Sequence, residues 1–135
     1  MTNLELIEKA RSVVRPQKVG NYLVGDVGCA LETDQGHVYL GVCIDSGSGI
    51  GFCAEHSAIA AMVTAGEFRI ARIVAVWTNE EGTYVLSPCG RCREFIRQID
   101  PANLETDVIL DVDKTAKLAD LLPYHSWFHK TGTPG

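Results

Sequence analysis

The chain has 135 residues, with 12 Lys and Arg against 17 Asp and Glu, for a formal net charge of −5. That length suits a single domain, residues 1–135, with a core large enough to need no disulfide staples. The acidic balance and the lack of a dense Lys/Arg run argue against a nucleic-acid polymer as partner, and no apolar run is long enough to enter a membrane as a spanning helix.

Residues 1–14 alternate charged and apolar groups and lack the form of a signal peptide. The cysteine count is five, an odd number. Without a secretion signal this predicts reduced thiols or metal ligands and a cytoplasmic location, not a disulfide framework.

Thr2-Asn3-Leu4-Glu5 has the form of a capping box. Leu4, Ile7, Ala10 and Val14 follow at helical spacing, predicting a first helix that ends before Pro16. Gly20 to Gly28 reads as a loop. Val27 to Glu32 and Val38 to Ile44 read as strands joined at Thr33-Asp34-Gln35-Gly36, a hairpin turn by composition. Asp45 to Gly51 is rich in Gly and Ser, and it fits a loop that lets backbone approach a ligand. Cys53 to Ala65 is an Ala-rich helix, with Gly66 as its terminating residue. Ile73 to Trp77 is a buried-type strand. After a turn at Asn79 to Gly82 the chain extends again over Thr83 to Leu86. Cys89 to Ile99 is a helix stopped by Pro101, Val108 to Val112 a strand, and Thr115 to Leu122 a short helix ended by Pro123. The order α-β-β-α-β-α-β-α predicts an α/β fold, a three-layer α-β-α sandwich with a mixed sheet.

Two motifs carry chemistry, and each opens a predicted helix: Cys53-Ala54-Glu55 and Pro88-Cys89-Gly90-Arg91-Cys92. Cys89 and Cys92 stand three apart on one helical face, so both sulfurs can reach one metal. Helix N-termini lower thiol pKa and favour the metal-binding thiolate. Cys53 occupies a third such position. Three thiolates leave one tetrahedral zinc position open, the pattern of a catalytic site. Glu55, two residues beyond Cys53, lies near such a metal without binding it and can move protons. Paired in this way, the motifs are the signature of zinc-dependent deaminases in their three-cysteine form.

Through these motifs the chain resembles the small cytidine deaminases, and its blasticidin S deaminase branch in particular. The resemblance extends to Val27-Gly28-Cys29-Ala30-Leu31, Gly41-Val42, Leu86-Ser87-Pro88 and Leu121-Leu122-Pro123. It implies a cytidine deaminase-like fold and hydrolytic release of ammonia from C4 of a cytosine-type ring. Zn2+ would be held by Cys53, Cys89 and Cys92, with Glu55 as the catalytic proton shuttle. The backbone N–H of Ala54 and the carbonyl of Ser87 would hold the base edge. The partner it implies is a small nucleoside-like molecule, and the assembly a homotetramer.

Two departures stand beside that likeness. Where the family carries Asn-x-Glu to hold ribose, this chain has Cys43-Ile44-Asp45, so Cys43 and Asp45 are the candidate substrate contacts of a re-specified pocket. The aromatic residue usual before the first strand is replaced by Gly25-Asp26. Many relatives place an Arg directly after Cys-Ala-Glu. Here His56 stands there, so His56 and Arg91 are the candidates to tune the thiolates, and Arg91 is expected to take over by donating to them.

Rival readings remain at this level. A Cys-x-x-Cys alone also fits a redox pair, and a structural zinc site would require a fourth ligand that close spacing does not offer. A non-catalytic zinc-binding module, or a deaminase of another aminated heterocycle, is the alternative function. Cys29 and, as the alternative to its substrate role, Cys43 read as buried small hydrophobes rather than ligands, His37 as a solvated surface residue, and Tyr22 as either pocket wall or packing. The segment holding His125, Trp127, Phe128 and His129 is expected to pack on the domain, edge a pocket or meet another subunit.

Overall fold

The structure, a computed structural model, describes residues 1–132. The Thr2 capping box forms, with the Thr2 hydroxyl accepting from Glu5 N at 3.1 Å and Glu5 accepting from Thr2 N at 3.3 Å. It opens α1, Asn3–Ser12. The helix buries Leu6, Ile7 and Ala10 and leaves Leu4 exposed, so the expected stripe is rotated by part of a turn. Gly28 explains the seating: a Cβ there would lie 2.3 Å from the Ala10 carbonyl oxygen, so α1 presses directly on the strand backbone.

The strands are β1 (Gln17–Val19), β2 (Tyr22–Thr33), β3 (Val38–Asp45), β4 (Ile70–Asn79), β5 (Gly82–Leu86), β6 (Asp107–Asp111) and β7 (Lys114–Lys117). The remaining helices are α2 (Ala54–Thr64), α3 (Gly90–Ile99) and the short α4 (Leu118–Leu121), with a 3₁₀ turn over Pro101–Glu105. The seven strands form one sheet in the order β1-β2-β4-β6-β7, with β3 also on β2 and β5 also on β4. The β4–β6 pair is parallel and the others antiparallel, so the sheet is mixed as expected.

Side chains alternate across the sheet. Cys29, Leu31, Ile73, Ala75 and Val108 pack with Ala58, Ile59, Met62, Ile96 and Leu118 on one face. Ala30, Val74, Val76 and Ile109 pack with Leu6, Ile7 and Ala10 on the other. The period-two alternation of the strands thus divides the core into two layers, and helices cover both sides. Cys29 is fully buried in the first layer, as its packing role predicts.

Two segments correct the sequence reading. The expected loop Gly20 to Gly28 holds only a tight turn at Gly20, whose φ is 62°; Gln17–Val19 pairs back on Tyr22–Val24, so β2 starts five residues early. The expected helix Thr115 to Leu122 is split. Lys114–Lys117 runs antiparallel to β6, and only Leu118–Leu121 is helical. An exposed Lys-Thr-Ala-Lys strand at the sheet edge satisfies backbone groups of β6 that a helix would leave open, and its lysines guard that edge. Asn103, fully buried, accepts from Ile70 N at 2.8 Å and donates to the carbonyls of Phe68 and Ile96 at 3.0 and 3.1 Å. It ties α3 to the start of β4.

Candidate active site

Helices α2 and α3 start side by side. Cys53 is the N-cap of α2 and Cys89 that of α3, and neither thiol caps its own helix. The placement of α2 depends on Gly41 of β3, where a Cβ would lie 2.3 Å from Ala58 N. The Ser57 hydroxyl then donates to the Val42 carbonyl at 2.7 Å.

The expected thiols converge. Cys53 Sγ and Cys89 Sγ are 3.6 Å apart. Two sulfurs on one tetrahedral zinc would be separated by roughly 3.8 Å, so the spacing fits that ion. Cys92, fully buried, presents its Sγ 3.5 Å from His56 Nδ1, and Cys53, His56 and Cys92 offer donor atoms within 4.8 Å of one another. His56, a candidate for tuning the thiolates in the sequence, therefore reaches sulfur. Its ring lies flat on Phe95, with centroids 4.3 Å apart and planes 4° off parallel.

Arg91 behaves differently from the expectation. Its Nη1 donates to the Gly51 carbonyl at 3.2 Å, and among the described residues its guanidinium makes no hydrogen bond to a thiol; only its backbone reaches Cys89. The loop before α2 occupies it: Ile44 and Phe52 exchange both backbone hydrogen bonds at 2.9 and 3.0 Å, which draws Gly51 beside the start of α3.

The thiols differ in acidity. Burial pushes Cys89 up, but hydrogen bonds from the Cys92 and Arg91 backbone and from the other thiols outweigh it, and its pKa falls below the ordinary value. Burial raises Cys53, and burial with the Glu55 charge raises Cys92 well above its usual range. A bound dication reverses such a rise by stabilising thiolate. Burial also lifts the Glu55 carboxyl above the ordinary range, against the lowering effect of its backbone hydrogen bond and the Cys92 thiol. His56 is lowered by burial and by the Arg91 charge, which favours neutral imidazole.

These groups open into a cavity of about 460 Å³. Cys53, Ala54, Glu55, Ser87 and Cys89 line it together with Asp26, Cys43, Asp45, Phe52 and Arg91. Glu55 is only 5% exposed. The structure thus brings every sequence-proposed residue to this region, although Cys92 and His56 stand behind the lining. Tyr22 is not part of the wall; it is half exposed and packs by Gly47.

Asp26 is the residue the sequence did not single out as a contact. It accepts a hydrogen bond from the Cys43 thiol at 2.7 Å; burial first, and then this bond, push Cys43 up to about 11. A bulge delivers it. Gly25 takes φ 81° and its carbonyl accepts from Arg15 N at 2.8 Å, shifting the β2 register between Val24 and Gly28. The legible signal was a lone charge between Val24 and Val27. Arg93 was also missed; its Nη2 donates to the Ser87 hydroxyl at 3.1 Å.

The family model of the cytidine and deoxycytidylate deaminase zinc-binding region matches residues 2–106. The chain belongs to this family. A cytidine deaminase of Mycobacterium tuberculosis is 33% identical over 98 residues, 72% of this chain and 69% of the relative. A blasticidin-S deaminase of Bacillus cereus is 34% identical over 105 residues, 73% of this chain and 74% of that one. The crystal structure of a cytidine deaminase from Burkholderia pseudomallei superposes with a TM-score of 0.72 at 28% identity, covering 92% of this chain and 98% of the other. Membership in a zinc-binding deaminase family and the convergence of these donor atoms agree on zinc as the cofactor. No helix among the described residues is long and apolar enough to cross a membrane.

Proposed function

We propose that this chain, as one catalytic domain, hydrolyses the exocyclic amine of a cytosine-type nucleoside or nucleoside analogue, replacing it with oxygen and releasing ammonia. The observation that carries this reading is the buried Glu55 carboxylate lining the same cavity as Cys53 and Cys89. Cys53, Cys89 and Cys92 hold zinc. The bound ion supplies a Lewis acid that makes water nucleophilic near neutral pH. Glu55 accepts one proton of the attacking water and passes it to the ring nitrogen, then takes the second proton from the added oxygen as the C–N bond breaks and passes it to the amine, which leaves as ammonia. Its raised pKa suits a carboxyl that must both take and give.

The base edge is held by backbone. The Ala54 N–H opens α2, where the first amides have no intrahelical partner. The Ser87 carbonyl, between β5 and α3, accepts from the substrate amine. His56 Nδ1 lies 3.5 Å from Cys92 sulfur, and in the Nδ1–H tautomer it donates to that thiolate and offsets part of the charge of three thiolates. Asp26, Cys43 and Asp45, which line the same cavity, contact the rest of the substrate. Three carboxylates (Asp26, Asp45 and Glu55) line the cavity against the guanidinium of Arg91. This balance favours an uncharged or cation-bearing nucleoside over a phosphorylated one.

The deciding experiment is ammonia release by the zinc-loaded protein from cytidine, deoxycytidine, deoxycytidylate, free cytosine and blasticidin S, with Glu55→Ala as blank. Turnover of at least one unphosphorylated compound is expected. Turnover of deoxycytidylate alone would defeat the charge argument, and silence on the whole panel would defeat the substrate class.

One observation favours a second reading. His56 Nδ1 stands close enough to Cys92 to serve as a fourth ligand, which would close the site as a non-catalytic zinc centre. In that case His56→Ala loses zinc. In the deaminase reading it keeps zinc, as metal analysis of the purified variant would show.

A homotetramer in the cytoplasm completes the proposal. Support for self-association comes from the exposure of Ile50 beside the cavity and of Trp127 and Phe128 at 70% and 85%. Sedimentation of the purified protein tests the stoichiometry.

A further inference from the structure

Ser87 and Pro88 lie between the end of β5 at Leu86 and the α3 N-cap, Cys89, so they have no ladder of their own. Yet this two-residue span carries the base-edge carbonyl in the reading above and leads directly into a zinc ligand. Arg93 holds it. Its Nε donates to the Pro88 carbonyl at 2.8 Å and its Nη2 to the Ser87 hydroxyl at 3.1 Å. The same guanidinium sends Nη1 to the Leu121 carbonyl at 2.9 Å. Leu121 ends α4, where backbone carbonyls lack helical partners. No residue of α4 lines the cavity, and α4 lies beyond the matched residues 2–106.

We propose that Arg93 is a positioning residue that clamps the Ser87–Pro88 span to α4, so that the last helix sets the geometry of the base-binding edge without touching substrate. The inference rests on the deaminase reading for its catalytic consequence. A planar fork with fixed donors can join three acceptors on two chain segments at once. Lysine, a single point charge on a flexible stem, cannot hold all three directions. Loss of the fork frees the Ser87 carbonyl to wander, which weakens substrate holding before it weakens proton transfer.

The test compares wild type, Arg93→Ala and Arg93→Lys as zinc-loaded full-length chains. Steady-state ammonia release and hydrogen exchange of residues 87–89 and 118–122 are followed together, with zinc content as a control. Both variants are expected to keep zinc. The KM of the best substrate should rise about tenfold or more, the scale of a lost charge-assisted hydrogen bond, with a smaller change in kcat. Exchange should quicken in both segments together and not elsewhere, and Arg93→Lys should fail to rescue. If Arg93→Ala does not fold, Arg93→Lys, which keeps the charge and the stem, carries the same expectations.

Unchanged KM in an active enzyme, full rescue by Lys, or loss confined to kcat would overturn the proposal. If wild type releases no ammonia, the deaminase reading fails by itself. The exchange data then still decide on Arg93: coupled loosening of the two segments upholds the clamp, and unchanged exchange removes it.

Discussion

Glu55 is an acidic residue in the first turn of a helix whose Ala54, Ala58, Ile59 and Met62 are buried, and it is nearly buried itself. An ionised carboxylate in such a place is costly unless its proton has somewhere to go. The cavity and the neighbouring thiols supply that role. Glu55→Gln keeps shape but not the proton, so zinc content should be unchanged while kcat falls by roughly 10²- to 10⁴-fold. A variant within a few fold of wild type would remove Glu55 from the mechanism. Cys43 illustrates the opposite case: a thiol held neutral at neutral pH by burial and by the Asp26 carboxylate, available as a weak donor rather than a nucleophile.

Among the elements, α2 bears the greatest positional demand, because its first turn carries Cys53, Glu55 and His56 together. Its distance from the sheet is set at Gly41. The Gly41→Ala substitution drives a Cβ to 2.3 Å from Ala58 N, a contact with backbone that no rotamer relieves. The expected cost is about 1–3 kcal/mol of stability, with a rise in KM as the helix start is displaced. A neutral result in denaturant unfolding would show that α2 shifts freely.

The C-terminal segment is tethered by a different device. Glu94 on α3 pairs with Arg97, accepts from Gln98 Nε2 at 2.6 Å, and accepts from Trp127 Nε1 at 3.2 Å. Arg97 first, then Gln98 and more weakly Trp127, hold its carboxyl down at about 2. A depressed carboxyl pKa stabilises above the unfolded value near 4.3, and that contribution is lost as pH falls toward about 2. Trp127 emission, recorded in Trp77→Phe protein, should therefore hold its neutral-pH value at pH of about 4 and change only toward 2. A transition centred at the ordinary glutamate value would show that the tether is absent in solution.

At the scale of the whole molecule, the proposed zinc site would join α2 and α3, while the sheet and α1 are held by their own cores. Binding to the folded state alone raises stability by mass action. Chelation should lower Tm and increase the reactivity of Cys53 and Cys89 toward a thiol reagent, leaving buried Cys29 unreactive until unfolding. An unchanged Tm would mean that the thiols do not bind metal in the folded chain. The cavity lies at the meeting point of β2, β3, β4, β5, α2 and α3, elements contributed from residue 26 to residue 91. Its shape is thus a property of the completed sandwich.

What the sequence determined by itself was local. The spacing of Cys89 and Cys92, the step from Cys53 to Glu55, the Thr2 capping box and the alternation along β2 and β4 each depend on one helical turn or one pleat. Those periods are dictated by backbone geometry alone. Tertiary structure decided the features that need partners distant in sequence. Lys114–Lys117 became a strand because β6 offered an open ladder. Arg91 turned to Gly51 because the Ile44–Phe52 pairing carried that carbonyl to it. His56 found Cys92, and Arg93 found Leu121, only when separate helices packed. Side chains three or four apart meet in any helix, whereas meetings across tens of residues exist only after burial of the core has fixed where each element lies.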